Sequence, residues 1–468
     1  MTNIKRRLGA AFLLGAFALT GCVSSQAGYG DVRHLVSERT NADVRWRHID
    51  GNASGQQVQK LLGQPLTLAS ATQIALLNNP DLQAAFEDLG VARADLVSAL
   101  RLPNPNVELN LGLRRNKDAD IEVVATENLA TLLFMPLRNG VANAGLDAAK
   151  VSVAARALDL AFEVRTTYYR YLAAEQVLEL RRSVVLAASA SAETARSLHE
   201  AGNTTDLDFE NEQALYDDAR LSLTQAEAEL AGTREKLTAL LGLWGSGASF
   251  RVTGALAEPE RELADLNSVE QRALGRSLDL ELARHRFEAA GRGANLARAQ
   301  GLLPRLGAGV HAQKSESWEV GPAFNVEVPL FYQGQGEVAR AQAEARRQTE
   351  LYNGLGVRIR AAARTAAERL SVARERARYY HSVLLPRRER IVNEAQLAYN
   401  AMSIGVFQLL QAKRDQIETG RAYVETLRDY WLARAELEQL LAGRLYPSSG
   451  ASAERGSTLA ARVEADGH

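Results

Sequence analysis

One cysteine in 468 residues, Cys22, excludes internal disulfides and thiolate metal clusters. Aromatic residues are scarce at 6%, and the abundance of Ala, Leu, Arg, Glu and Gln suits long, closely packed helices better than a compact enzyme core. The formal net charge of −1, with acids and bases interspersed, provides no basic field for a phosphate backbone, so nucleic acid is not an expected partner. The seven histidines are scattered, with no His-Glu-x-x-His pair, and neither a phosphate loop ending in Gly-Lys-Ser/Thr nor a Gly-x-Ser-x-Gly elbow occurs. Gly334-Gln335-Gly336 is followed by Arg340 and Ala341 where a dinucleotide loop needs a third glycine. No catalysis, cofactor or metal centre is expected. Beyond the first 21 residues no apolar run reaches 18 residues, which excludes a spanning helix.

What is present begins at the N-terminus. Lys5, Arg6 and Arg7 precede an apolar stretch from Leu8 to Leu19, the pattern of an export signal too short to span a bilayer. It ends in Leu19-Thr20-Gly21-Cys22, which resembles a bacterial lipobox, so residues 1–21 read as a lipoprotein signal peptide and Cys22 as the lipidated residue. Cleavage after Ser25-Gln26-Ala27 is the alternative. Val23, not Asp, follows the cysteine, which by the same resemblance favours the outer membrane. Residues 22–66 then form a lipid-anchored N-terminal segment, held to outer-membrane lipid.

The rest is duplicated with a period near 200 residues, which marks two fused copies of one unit. Asn79-Pro80-Asp81-Leu82 answers to Ser277-Leu278-Asp279-Leu280, and Leu102-Pro103 to Leu303-Pro304. Met135-Pro136-Leu137 answers to Val328-Pro329-Leu330, Gly202 to Gly405, and Leu240-Leu241-Gly242 to Leu440-Leu441-Ala442-Gly443. The first repeat covers 67–242, with hairpin strands at about 105–137 and a tip near 202. The second covers 269–443, with strands at about 305–331 and a tip near 405. Residues 243–268 connect them and 444–468 form a tail.

Within each repeat the hydrophobic period changes from helical to two and back. Val107, Leu109, Leu111 and Leu113 alternate with Glu108, Asn110, Gly112 and Arg114, and Leu129, Leu133, Met135 and Leu137 share one parity in the next segment. In the second repeat Leu306, Ala308, Val310 and Ala312 alternate with polar residues and glycine, as do Phe324, Val326, Val328 and Leu330. Polar loops with Asn116, Lys117, Asp118 and Asp120, or Ser315, Glu316 and Ser317, join each pair as hairpins. The result is four bilayer-length strands. From Val141 to Ala201 there is no proline, and Phe209, Tyr216, Leu223, Leu230 and Leu237 recur every seven residues, as do Leu410, Ile417, Val424 and Trp431. Long helices in coiled-coil packing are expected, with a kink at Pro386. Four strands cannot close a barrel, and an open edge is not tolerated in lipid, so several copies must share one wall. Two copies would supply eight strands and three twelve; a hollow conduit needs the larger number.

The order helix, hairpin, long helix, Gly turn, long helix, repeated once, resembles the TolC-like outer-membrane efflux family from about Leu66 to Gly443. The motifs are Leu-Pro-Asn-Pro-Asn (102 to 106), Val-Pro-Leu-Phe (328 to 331), Gly202-Asn203-Thr204-Thr205-Asp206-Leu207-Asp208 and Gly405-Val406-Phe407-Gln408-Leu409-Leu410-Gln411-Ala412. The resemblance implies a mainly α fold with a small membrane β-barrel: a homotrimer with a 12-stranded barrel and an α-helical periplasmic tunnel. It also implies partners, a periplasmic adaptor docked at the helical tips and an inner-membrane pump behind it. On that mapping Gly202, Thr204 and Thr205 on one tip, and Gly405, Val406 and Phe407 with Ile404 on the other, face the adaptor. Phe407 reads as an exposed apolar residue in want of a partner, and Thr205 reads equally as a helix cap.

Some members of that family narrow the pore with carboxylates beyond the second tip, where this chain has Gln408 and Gln411. Asp206, Asp208, Glu210 and Glu212 follow the first tip instead, and threefold symmetry would make each a ring at the pore entrance. The alternative is a solvated helix face with acids at its N-terminus. The second tip, Ala401 to Phe407, is similar to that of members associated with metal-ion resistance. A type I protein-secretion conduit and a lipid-anchored periplasmic coiled-coil protein are the competing readings of the whole.

Overall fold

The computed structural model describes residues 28–51, 53–102, 104–112, 120–260, 268–302, 306–314, 317–326, 331 and 333–445. The signal segment, Cys22, Pro103, Pro304, Val328-Pro329-Leu330, most of both hairpin loops and the tail from 446 lie outside them. Three helices open the chain: α1 (Tyr29–Thr40), α2 (Arg47–Asp50) and α3 (Ala53–Leu62). The first repeat then runs α4 (Leu68–Asn78), α5 (Pro80–Leu100), β1 (Asn106–Gly112), β2 (Asp120–Asn128), α6 (Ala130–Glu200) and α7 (Asp206–Leu240). The second runs α8 (Val269–Gly275), α9 (Leu278–Leu302), β3 (Leu306–Lys314), β4 (Trp318–Val326), α10 (Gln335–Tyr379), a π-helical turn (Tyr380–Leu384), α11 (Leu385–Asn400) and α12 (Val406–Leu441).

Local chemistry repeats with the chain. Asn79 Oδ1 accepts from the Leu82 amide at 3.0 Å and Ser277 Oγ from the Leu280 amide at 3.1 Å, so both α5 and α9 begin on a side-chain cap. At the far end of each repeat a glycine in the left-handed region closes the last helix, Gly242 with φ +65° and Gly443 with φ +103°. A Cβ on Gly242 would lie 2.7 Å from the Asn78 carbonyl, and one on Gly443 would lie 2.2 Å from the Arg276 carbonyl. Each repeat therefore closes its end against its beginning through backbone that only glycine allows.

Two strands lie elsewhere than the periodicity places them. β2 ends at Asn128, and Leu129 to Leu137 leads into and forms the first turns of α6, with Pro136 inside that helix. β4 starts at Trp318, well before Phe324. Pro322 explains the second case: β4 is an edge strand, where a residue without an N–H is tolerated, whereas in sequence Gly321-Pro322 reads as a loop. In β2 the first apolar residues, Ile121 and Val123, are followed by Val124 on the opposite parity, which blurs the alternation. Where a kink at Pro386 is expected, a π turn ends two residues upstream at Leu384, and the Leu385 amide bonds back five residues to the Tyr380 carbonyl.

The contacts divide into two compact units that cut across the repeats. One takes Met1–Asp31, Phe86–Lys150 and Arg284–Thr349 and contains the sheet; the other takes Val32–Ala85, Val151–Ala283 and Glu350–His468. The core of the second unit includes Leu66, Ile74, Leu77, Val164, Leu237, Leu241 and Leu427, and the heptad positions Leu237 and Val424 are buried in it. Tyr216 packs with Val184, Ala188 and Ala219 further along. The stretch between α1 and α2 is held there by two glutamines. Gln73 accepts from the Asp43 amide at 2.9 Å and donates to the Asp43 carbonyl at 2.8 Å. Gln83 accepts from the Arg47 amide at 2.8 Å and donates to the Arg45 carbonyl at 2.8 Å. Val44 and Trp46 between them are buried.

Candidate channel wall and docking tips

The four strands form one antiparallel sheet in the order β1-β2-β3-β4, and the central β2–β3 pair joins the two repeats. Residues directly opposite share a face, so the register sorts the side chains. One face carries Val107, Leu109, Leu111, Ile121, Val123, Ala125, Leu306, Ala308, Val310, Ala312, Trp318, Val320, Phe324 and Val326, with Pro322 opposite Val310, Glu127 opposite Ala308 near one end and Lys314 opposite Trp318 at the other. The other carries Glu108, Asn110, Glu122, Thr126, Asn128, His311, Gln313, Glu319 and Asn325. On the polar face Asn110 bridges Glu108 and Glu122, and His311 Nε2 stands 3.0 Å from Glu122 Oε1. On the apolar face Val107, Leu109, Leu111, Val310, Trp318, Val320, Phe324 and Val326 are each more than half exposed. Between Glu127 and Lys314 this is an exposed apolar patch on strands of up to nine residues, a surface that calls for a non-aqueous partner. β1 and β4 are its unpaired edges.

The first tip is a Gly-ended turn. Gly202 has φ +70°, the Asn203 amide returns to the Leu198 carbonyl at 2.8 Å, and α7 starts four residues later at Asp206. Thr205 caps α7: its hydroxyl accepts from the Asp208 amide at 3.1 Å and donates to Asp208 Oδ2 at 2.7 Å. Thr205 and Asp208 thus satisfy one another. The second tip has the same turn with other residues. Met402 holds the left-handed position, φ +58°, the Ser403 amide returns to the Ala398 carbonyl at 2.9 Å, and α12 starts four residues later at Val406. Gly405 is consequently the N-cap residue, with φ −78°, and answers to Thr205, not to Gly202. Its amide donates to Gln408 Oε1 at 3.1 Å.

The structure also redistributes the expected surface residues. Phe407 is half-buried, as are Val406, Ile404 and Thr204. The exposed apolar side chains of the tips are Met402, 94% exposed, and Leu207, 69% exposed. Both lie inside the tip segments, Met402 at the left-handed position of its turn and Leu207 in the first turn of α7. Glu212 is buried and does not face an open entrance. Its Oε2 accepts from Ser191 Oγ at 2.5 Å and lies 3.4 Å from the Arg414 guanidinium, so it ties α6, α7 and α12 together. Gln411 donates to Asp415, which pairs with Arg388 at 3.2 Å, a bridge between α11 and α12. Of the expected entrance carboxylates Glu210 is exposed and Asp206 is 95% exposed, with its nearest cationic candidate, His199 Nδ1, at 3.7 Å. His199 stacks on Phe209 at 4.9 Å.

Among the described residues no helix is long and apolar enough to cross a membrane, and no cluster of three His, Cys, Asp or Glu could hold a metal ion. The family model described as outer membrane efflux protein matches residues 71–243. Over those residues the chain is similar to that family. The chain is 24% identical over 390 residues to the cobalt-zinc-cadmium resistance protein CzcC of Cupriavidus metallidurans, covering 81% of its own length and 90% of that relative. Its fold is that of solved outer-membrane channels. It superposes on a membrane protein from Pseudomonas aeruginosa with a TM-score of 0.68 at 18% identity, covering 85% of this chain and 95% of that one. The Campylobacter jejuni CmeC outer membrane channel matches with a TM-score of 0.68 at 13% identity, over 83% and 88% of the two chains.

Proposed function

We propose that this protein is a member of the outer membrane efflux family and the outer-membrane conduit of a tripartite efflux system, closed as a homotrimer and anchored by lipid at Cys22. The observation that carries the reading is the sheet: one bare apolar face, one polar face and two unpaired edges. Backbone groups at such edges must be paired in hydrocarbon, and pairing β4 of one copy with β1 of the next closes a wall. Three copies give twelve strands and a lumen lined by the polar face. Met402 and Leu207 at the tips are the apolar contacts offered to a periplasmic adaptor, with Gly202, Thr205 and Gly405 shaping the turns and Phe407 supporting the second from beneath. Through the adaptor the conduit receives solute from an inner-membrane pump, and the chain itself catalyses no reaction. Export proceeds down the tube without chemistry.

The relative CzcC is named for cobalt, zinc and cadmium resistance, and divalent metal cations are accordingly the substrate class to test first. Asp206, tripled by symmetry, is the carboxylate best placed to favour cations at the entrance. Extraction in mild detergent should yield a homotrimer whose hairpins resist protease. Recovery of a monomer with cleavable hairpins would overturn the conduit. A deletion strain should become sensitive to cobalt, zinc or cadmium; unchanged metal tolerance with new sensitivity to dyes and detergents would reject metal as the cargo. Unaltered conductance and ion selectivity of Asp206→Ala would remove the entrance role.

A further inference from the structure

A cavity within the second unit measures about 810 Å³, which is the size of a site for a small organic molecule. Segments far apart in sequence meet around it: the end of α1, the start of α4, one side of α6 and the last turn of α12. Its apolar lining includes Leu61, Leu68, Leu158, Phe162 and Leu441. Its polar wall holds an electrostatic defect. Arg165 is paired with Glu438, and Arg276 lies 3.5 Å from Glu38. Arg39 instead donates to two carbonyls, those of Arg276 and Ala442, both at 2.7 Å, and no carboxylate is hydrogen-bonded to it. Burial, and then the neighbouring Arg276 charge, push its pKa down; Glu281 and Glu38 oppose this only from a distance.

A half-buried guanidinium beside a second cation is costly unless an anion compensates it. The cavity next to it is large enough to admit that anion together with an alkyl body. We infer that this cavity is a binding site for an anionic amphiphile, a carboxylate or similar oxyanion head on a chain of medium length, with the head at Arg39 and the alkyl part on Leu68, Leu158 and Phe162. Arg39 supplies charge-assisted donors, and the leucines and Phe162 supply the apolar burial that holds the tail. The inference does not depend on which solute the channel exports.

The test uses the full-length protein in lipid nanodiscs, with dodecanoate and dodecanol as probes and native mass spectrometry and calorimetry as readouts. Saturable binding of dodecanoate at one site per chain, at least tenfold tighter than dodecanol, is expected. Arg39→Gln should reduce the preference to near unity, and Phe162→Ala should weaken both probes together. Equal affinity for acid and alcohol in the unaltered protein would overturn the proposal, and that comparison does not depend on any variant folding. Absence of binding to the trimer, as when a neighbouring copy fills the cavity, would overturn it too.

Discussion

At their roots the two repeats use the same device twice, whereas at their tips they reach one backbone shape by different residues. Gly242 and Gly443 both sit at positive φ with a carbonyl of the repeat's own first helix pressed against the site of a missing Cβ. At the tips, Gly202 and Thr205 stand in one turn where Met402 and Gly405 stand in the other. Packing explains the contrast. A root glycine touches backbone on the other side and has no alternative, while a tip residue faces water, where a methionine accepts the left-handed region at a cost of about 1–2 kcal/mol. Duplicated copies have kept what is enclosed and diverged where the surface is free to meet different partners.

The contrast can be broken in order of expected effect. Glu212→Ala removes the partner of a guanidinium that is itself 12% exposed and should destabilise the first tip by about 3–5 kcal/mol. Amide exchange in 191–212 should accelerate while the roots stay protected; uniform loss of protection would show that the pair is not local. Next, Gly443→Ala should cost more than 2 kcal/mol by clash and strain and Gly202→Ala about 1 kcal/mol, so thermal unfolding should separate a root from a tip. Equal shifts would erase the distinction. Thr205→Ala should cost about 1 kcal/mol, and Gly405→Ser should stabilise by a few tenths, because it gives the second tip the cap that the first already has.

The smallest effect concerns acid. Burial alone would raise the Asp43 carboxyl, but hydrogen bonds and charge from Arg33 and then Arg45 outweigh it and hold the group below its ordinary range. A depressed carboxyl stabilises the fold above its unfolded value, about 4, and that contribution is lost as the pH falls through the folded value. The pair is partly exposed, so loosening of α1 below pH 4 should amount to less than about 1 kcal/mol. Asp43→Asn should flatten that acid limb and leave the tips unchanged, as read by proteolysis near Thr40.

Much of this was legible because helix and strand periods differ and because each signal occurs twice. Alternation at 107–111 and 306–312 located β1 and β3, and heptads at Leu237 and Val424 located buried seams. Legibility failed where tertiary context decides. Pro322 reads locally as a strand breaker, and only the ladder with β3, in which it stands opposite Val310, places it inside β4. Glu212 looks like one more acid in a run until Ser191 and Arg414, 21 and 202 residues away, arrive beside it. Phe407 has the hydrophobicity of a docking residue, but Met402 and Leu207 hold the exposed positions, and exposure is a property of three dimensions. The turn at Gly405 misled by composition: glycine suggests the left-handed site, which Met402 occupies.

The glutamine clamps at Gln73 and Gln83 grip amide and carbonyl groups, not side chains. A grip on main chain is indifferent to spelling. Away from Asp43 and the buried Val44 and Trp46, the stretch between α1 and α2 can therefore vary in sequence, provided two side-chain amides keep their places opposite it, and a search for shared letters there would overlook a fastening that geometry preserves.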